Sequence, residues 1–388
     1  MIGGAARIAQ RALWIPVGYL AVVTVAGLRA SRRPAASSVR TRFIVVVPAH
    51  DEEGTIATTV SSLLATDYPA SQRRVVVVAD NCSDETAERS KAAGADTWER
   101  NDPGAPGKGP ALRWALKRLL SDADWDGAVV VDADSVVEPD FLQGLAAHLG
   151  DGAEVVQAEY RVANPDESLV TRLAALSFAV QSVLKQRGRP ALGGSAKLQG
   201  NGMAFSRAVV AEHGWGGEGL TEDVDMWLHL LERGVRPRFA PEAVVAGLMP
   251  ATAEAARIQR ARWEAGRGEV ARRRLLPALR ISIRRRDPVL LEAAVSELAF
   301  PPLSMLAALV AATGAVRWAA SGRTGSAPAQ LGVLGGHAVA ALAVTRASRS
   351  SYALLALAPL VVGWKLLVKL GSRPPEDWQR TPRSKRLY

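Results

Sequence analysis

Residues 129–135 read VVVDADS, three β-branched apolar residues followed by two aspartates, Asp132 and Asp134, with one alanine between them. A short valine run of this kind suits a strand buried on both faces. Alternate side chains of an extended chain share a face, so both carboxylates can look into one crevice at the strand's end while Ala133 packs behind. Two earlier stretches have the same build: FIVVVPAH at 43–50, followed by Asp51 and Glu52, and RVVVVADN at 74–81, with Asp80 near its tip. Helical segments fall between them. EEGTIATTVSSLLATDYP ends at Tyr68 and Pro69, and SDETAERSKAAGA runs from a capping-type Ser83 to a terminating Gly94. Strand, helix, strand, helix, strand predicts an α/β domain with a doubly wound, mostly parallel sheet. In such sheets ligands collect beyond the carboxyl ends of the strands, and here all three ends are acidic.

Converging carboxylates repel unless a cation lies beside them. Mg²⁺ or Mn²⁺ takes one or two carboxylates and completes its shell with substrate phosphates, so Asp132 and Asp134 predict a metal site for a nucleoside diphosphate. The same spacing also occurs in turns and at helix caps. Dinucleotide binding is disfavoured, because the turn after the first strand reads PAHDEEG in place of G-x-G-x-x-G. PGAPGKGPALRWAL lacks the P-loop spacing; it reads as a loop that brings Lys108 to an anion, or leaves it an ordinary surface lysine. The single cysteine, Cys82, permits no intrachain disulfide. The histidines form no cluster, and no Ser, His, Asp arrangement stands out.

The 388 residues carry a formal charge of +10 and are 48% hydrophobic. Arginines flank apolar stretches, as Arg29, Arg32 and Arg33 do after the first and Arg284, Arg285 and Arg286 before the later ones, which favours a bilayer surface over nucleic acid as the basic partner. Four stretches, 12–30, 298–316, 328–344 and 352–370, are apolar enough to span or lie in a membrane. A secretory signal is the rival reading of the first, opposed by the arginines behind it. Positive charge after residue 30 puts the central domain in the cytoplasm. Were all three later segments to cross, the basic tail would end outside, so one of them is expected to be interfacial or re-entrant. The division expected is an N-terminal span and basic linker at 1–40, a catalytic domain at 41–250, an interface segment at 251–290, membrane helices at 291–371 and a tail at 372–388.

TEDVDMWLHLLERG, 221–234, reads as a helix whose Val224, Trp227, Leu228 and Leu231 form the buried stripe. Asp223 sits in its first turn, off that stripe, where it can take a proton or favour the helix dipole. In QRARW, helical spacing puts Gln259, Arg262 and Trp263 on one face and sends Arg260 elsewhere. A guanidinium at Arg262 matches phosphate oxygens, while Trp263 offers a flat wall to a sugar or an anchor at the membrane interface. Gly200 and Gly202 around Asn201 allow close backbone approach to an acceptor, or make a plain tight turn.

The series VPAHDEE, VVADNCSDET, GKGPALRWAL, VVVDADS, LQGNGMAFSR, LTEDVDMWLHL and QRARW resembles membrane-bound glycosyltransferase family 2, the group of the cellulose, chitin, hyaluronan and poly-N-acetylglucosamine synthases. The resemblance covers about residues 41–270 with order and spacing kept. It implies a GT-A fold and metal-dependent, inverting transfer of a sugar from a nucleotide-sugar donor to a glycan or lipid-linked acceptor hydroxyl at the cytoplasmic membrane face. It implies that Asp80 bonds the nucleotide base, Glu52 shapes the nucleoside pocket, Lys108 approaches the phosphates or ribose, Asp132 and Asp134 hold the metal, and Asp223 is the base. Gly200, Asn201, Gln259 and Trp263 fall on the acceptor side. The second-strand motif departs from the family, with Ala79 where many relatives have a carboxylate. The alternative to an enzyme is a noncatalytic membrane scaffold that keeps a nucleotide pocket.

Overall fold

The valine runs form neighbouring strands in the computed structural model, which describes residues 2–30, 41–122, 124–357 and 363. Eight strands make one sheet: β1 (Phe43–Ala49), β2 (Arg73–Asp80), β3 (Asp96–Arg100), β4 (Gly127–Val130), β5 (Ser135–Val137), β6 (Val155–Val162), β7 (Met203–Ser206) and β8 (Arg238–Gly247). Their order is β3-β2-β1-β4-β7-β6-β8-β5. β3, β2, β1 and β4 are mutually parallel, as are β6 and β8; β7 and β5 run against their neighbours. The sheet is thus α/β and mostly parallel, with one short reversed strand, β7, inserted at its centre.

Alternation along the strands builds two cores. Ile44, Val46, Val76 and Val78 face a layer that holds the helices Lys108–Leu119 and Glu222–Leu231, while Phe43, Val45, Val47, Val75 and Val77 face the helices Ile56–Leu64 and Phe141–Gly150. Burial on both faces explains why these strands carry no polar alternation.

Gly202, at the entrance to β7, donates its N–H to Val130 O at 2.9 Å. Its φ is +67°, and a Cβ there would come within 2.6 Å of Val245 and 2.9 Å of Ala158, so only glycine lets the loop cross the sheet this closely. That crossing brings residues 199–202 over the acidic end of β4.

The helix Ala253–Arg285 carries QRARW and the arginine-rich segment in one continuous element. Among the described residues, three stretches are helical, long and apolar enough to cross a membrane: Gly3–Arg29, Leu303–Ser321 and Ala327–Val344. The second begins at Leu303 and not at 298, because Phe300 precedes Pro301 and is forced into extended backbone (φ −73°, ψ 142°). The fourth apolar stretch beyond Leu357, Gly363 apart, lies outside the described residues, as do the linker 31–40 and the tail.

Candidate active site

One cavity of about 1130 Å³ opens beyond the carboxyl ends of β1, β2 and β4, between the sheet and the helix Ala253–Arg285. Glu52, Asp80, Lys108, Asp132, Asp134, Gly200 and Asp223 line it around the strand ends; Gln259, Arg262 and Trp263 line it from the helix Ala253–Arg285. The structure therefore brings together the positions singled out in the sequence, with two exceptions: Gly202, packed against Val245 and Ala158, and Asn201. Asn201 is fully buried beneath the cavity: its Oδ1 accepts from Asp132 N at 3.1 Å and its Nδ2 donates to Ser135 Oγ at 2.8 Å, so its side chain braces the Asp132–Ser135 turn and cannot face an acceptor.

Lys108 is the hub. Loop residues before it end at Gly107 (φ +105°), and the helix Lys108–Leu119 then points its first side chain across the strand ends. Its Nζ lies 2.5 Å from Asp132 Oδ1, 2.6 Å from Gly200 O and 3.5 Å from Glu222 Oε1. Burial alone would lower its pKa, but Asp132 and Glu222 hold it well above the usual lysine range. Asp134 is buried and lines the cavity, and its Oδ1 accepts from Ser135 Oγ at 3.3 Å.

Asp80 is engaged from two directions. Arg100 Nη1 sits 2.5 Å from its Oδ1 and Gly107 N donates to its Oδ2 at 3.3 Å, with both ion-pair partners buried. Arg100, at the end of β3, escaped the sequence reading because DTWER carries no valine run. Glu52 Oε2 accepts from Thr55 Oγ1 at 3.1 Å, which ties the first-strand motif to the following helix.

Glu222 and Asp223 start the helix Glu222–Leu231 side by side at the cavity wall. Burial pushes the Glu222 carboxyl up to about 7, against Lys108 and with help from Asp223. Burial also raises the Asp223 carboxyl, opposed by Lys197 and Lys108. A Cβ on Gly200 (φ +80°) would lie 3.5 Å from both Asp223 Oδ2 and Lys108 Nζ, which places the metal motif and the helix start around one point. Asp225, two residues on, is wholly buried and belongs to the fold: Arg274 Nε and Arg273 Nη2 lie 2.6 and 2.9 Å from its oxygens.

On the facing helix, burial lowers the Arg262 pKa while Glu222 and Asp132 oppose the shift, so its guanidinium stays a cation within reach of their field. Trp263 stacks edgewise on Phe178 at 6.1 Å, which in turn meets Tyr160 at 5.2 Å. Arg260 also reaches the cavity, contrary to the helical-face expectation, because the cavity spans more than one stripe of this helix. Among the described residues, ligand-type atoms of Asp51, Cys82 and Asp84 also gather within 4.8 Å. That trio is accounted for locally: Asp51 accepts from Ser83 N at 2.7 Å and Asp84 caps Thr86 N at 3.0 Å.

Hard oxygen ligands are what Mg²⁺ or Mn²⁺ needs, and Asp132 and Asp134 supply them at the strand end, with Lys108 engaging one Asp132 oxygen. The donor set fits such an ion.

A family model described as "Glycosyltransferase like family 2" matches residues 41–266. The chain is 28% identical over 229 residues to "Probable glycosyltransferase YdaM" of Bacillus subtilis (strain 168), covering 57% of this chain and 54% of that protein. It is 31% identical over 230 residues to "Beta-monoglucosyldiacylglycerol synthase" of Trichormus variabilis, covering 57% and 48%. The chain thus spans about half the length of the curated relatives it matches. The solved mannosyltransferase PcManGT from Pyrobaculum calidifontis, in complex with GDP-Man and Mn²⁺, superposes with a TM-score of 0.59 at 19% identity, over 96% of this chain and 100% of that one; the likeness is one of fold.

Proposed function

Because the chain belongs to glycosyltransferase family 2, we propose that it moves a sugar from a nucleotide-sugar donor to the hydroxyl of a glycan or lipid-linked acceptor at the cytoplasmic face of a membrane. The observation that carries this reading is the convergence of Asp132, Asp134 and Asp223 on one cavity around Lys108, with Arg262 facing them. The nucleoside lies along Glu52 and Asp80, and its diphosphate reaches toward Asp132 and Asp134. Mg²⁺ or Mn²⁺ held by those two aspartates would neutralise that diphosphate.

Asp223 takes the proton of the acceptor hydroxyl as its oxygen bonds to the anomeric carbon. The bond from that carbon to the diphosphate breaks, and Arg262 offsets the charge on the departing group. A raised carboxyl pKa suits Asp223 to the task, since a stronger base accepts the proton more readily. Trp263 and Gln259 border the acceptor's place, and the backbone of Gly200 makes its floor. The name of the Trichormus variabilis relative supports a glycolipid product, and the three apolar helices support a membrane setting.

The test is a panel of nucleotide sugars with Mg²⁺ or Mn²⁺ and mixed membrane lipids, with products weighed by mass spectrometry. A single hexose added to a lipid or glycan is the expected result, and a ladder of masses identifies a polymerase. No sugar transfer from any donor would overturn the proposal.

A further inference from the structure

The cavity has a second half that the donor does not need. Away from the strand ends it is lined by Lys185, Arg189, Lys197, Arg267 and Glu297, and it continues to Leu303, the first residue of the apolar helix Leu303–Ser321. Glu297 Oε1 lies 2.6 Å from Arg189 Nη2 and its Oε2 lies 2.8 Å from Lys197 Nζ, so one carboxylate serves two cations. Arg189 is further fixed by Glu292 at 3.1 Å and by Tyr19 Oη at 2.9 Å, which ties it to the helix Trp14–Arg29.

The other two cations have no carboxylate. Arg267 donates to main-chain oxygens alone, to Glu297 O at 2.7 and 3.0 Å and to Phe300 O at 2.9 Å. Lys185 Nζ makes neither a hydrogen bond nor an ion pair among the described residues. Within ion-pair distance these four cations thus meet two carboxylates, Glu292 and Glu297, in a partly buried space. Burial, joined by Arg189, Lys197 and Arg267 and opposed by Glu297, pushes Lys185 down to about 8. Uncompensated positive charge in such a place is costly unless an anion joins it. Lys197 also acts on Asp223, so the basic half adjoins the proposed base.

We propose that the acceptor carries a phosphate, held by Lys185, Lys197 and Arg267 in the membrane-side half of the cavity, which sets its hydroxyl against Asp223. This rests on the glycosyltransferase reading above and names the acceptor's chemical class. The phosphate is a handle and not the nucleophile. The hydroxyl oxygen bonds to the anomeric carbon, its proton passes to Asp223, and the nucleoside diphosphate leaves with the electron pair of the broken bond.

The full chain in detergent is tested by native mass spectrometry and calorimetry with four probes: glycerol 3-phosphate, glycerol, phosphatidylglycerol and diacylglycerol. The phosphate-bearing member of at least one pair binds at least about tenfold tighter than its neutral counterpart, as charge-assisted bonds to an anion predict. Preference confined to the lipid pair assigns the phosphate to a membrane headgroup; preference shared by the soluble pair assigns it to a free ester. Lys185→Gln removes most of the preference with an unchanged thermal midpoint, and Lys185→Arg keeps it at pH above 8, where Lys185 itself loses charge. Equal binding of charged and neutral probes by the wild type overturns the proposal, as does a Lys185→Gln variant that keeps the preference. Nucleoside diphosphate release by the wild type reads the glycosyltransferase function separately.

Discussion

Lys108 meets Asp132 at 2.5 Å and Glu222 at 3.5 Å, so one ammonium group joins the metal motif to the helix that bears the base. Glu222 and Asp223 have raised pKa values, and their consequences for stability and rate run in opposite directions. Glu222 has a folded pKa of about 7 against an ordinary 4.5, so the stability it contributes is full below pH 4.5 and is lost as pH rises through about 7. Asp223 must be ionised to act. Burial raises the Asp223 carboxyl, so turnover is predicted to climb with pH above the ordinary aspartate range, while the stability contributed by Glu222 declines toward neutral pH. A kcat that stays flat from about pH 5 to about pH 9 would contradict this. Asn201→Ala removes the acceptor of Asp132 N and the partner of Ser135, and is predicted to cost about 1–3 kcal/mol in chemical denaturation and to slow turnover. Most of this acidic constellation was legible in the sequence, because three valine runs in succession each end in carboxylates and parallel strands bring such ends together. The partners were not: Arg100 ends the edge strand β3 and Glu297 sits in the helical stretch Ala294–Ala299, and the approach of both is decided by tertiary packing.

At the scale of elements, a close backbone approach joins the helix Trp14–Arg29 to the helix Leu184–Ala191. A Cβ at Gly188 would fall 2.1 Å from Val23 O, and one at Gly27 would fall 2.5 Å from Leu184 O. Two small residues let the backbones meet, as they do in membrane helix pairs. Gly188→Leu is accordingly predicted to force the helices apart and lower the thermal midpoint in detergent, by the equivalent of about 1–3 kcal/mol or more. An unchanged midpoint would contradict the packing. The same contact holds Lys185 and Arg189 beside the cavity, so the variant is also predicted to weaken phosphate binding. β1, β2 and β4 were readable because burial on both faces leaves a pure apolar run. β6 was harder, since Gln157 and Glu159 are buried polar residues within it that break the pattern, and β7 is only four residues long.

For the whole molecule, the apolar helices pack on the helical segment that borders the cavity: Arg189 Nε donates to Tyr19 Oη at 2.9 Å, and His337 Nε2 lies 2.8 Å from Val180 O. The charge of +10 and the arginines beside the apolar helices fit the proposed cytoplasmic membrane surface. The full chain is predicted to stay in the membrane pellet after an alkaline carbonate wash and to need detergent for release; recovery in the supernatant would contradict the membrane setting. Apolar length and charge bias were plain in the sequence, whereas the pairing of an N-terminal helix with residues 184–191 depends on contacts that no local pattern encodes. The central claim is that Asp223 is the base of a sugar transfer fed by a donor at Asp132 and Asp134. Its most direct test is donor-dependent release of nucleoside diphosphate by the purified chain with Mn²⁺, measured beside donor affinity, for wild type and Asp223→Asn. Release is expected to fall by about 10² to 10⁴ in the variant with donor affinity kept. Release at the wild-type rate in Asp223→Asn would contradict it.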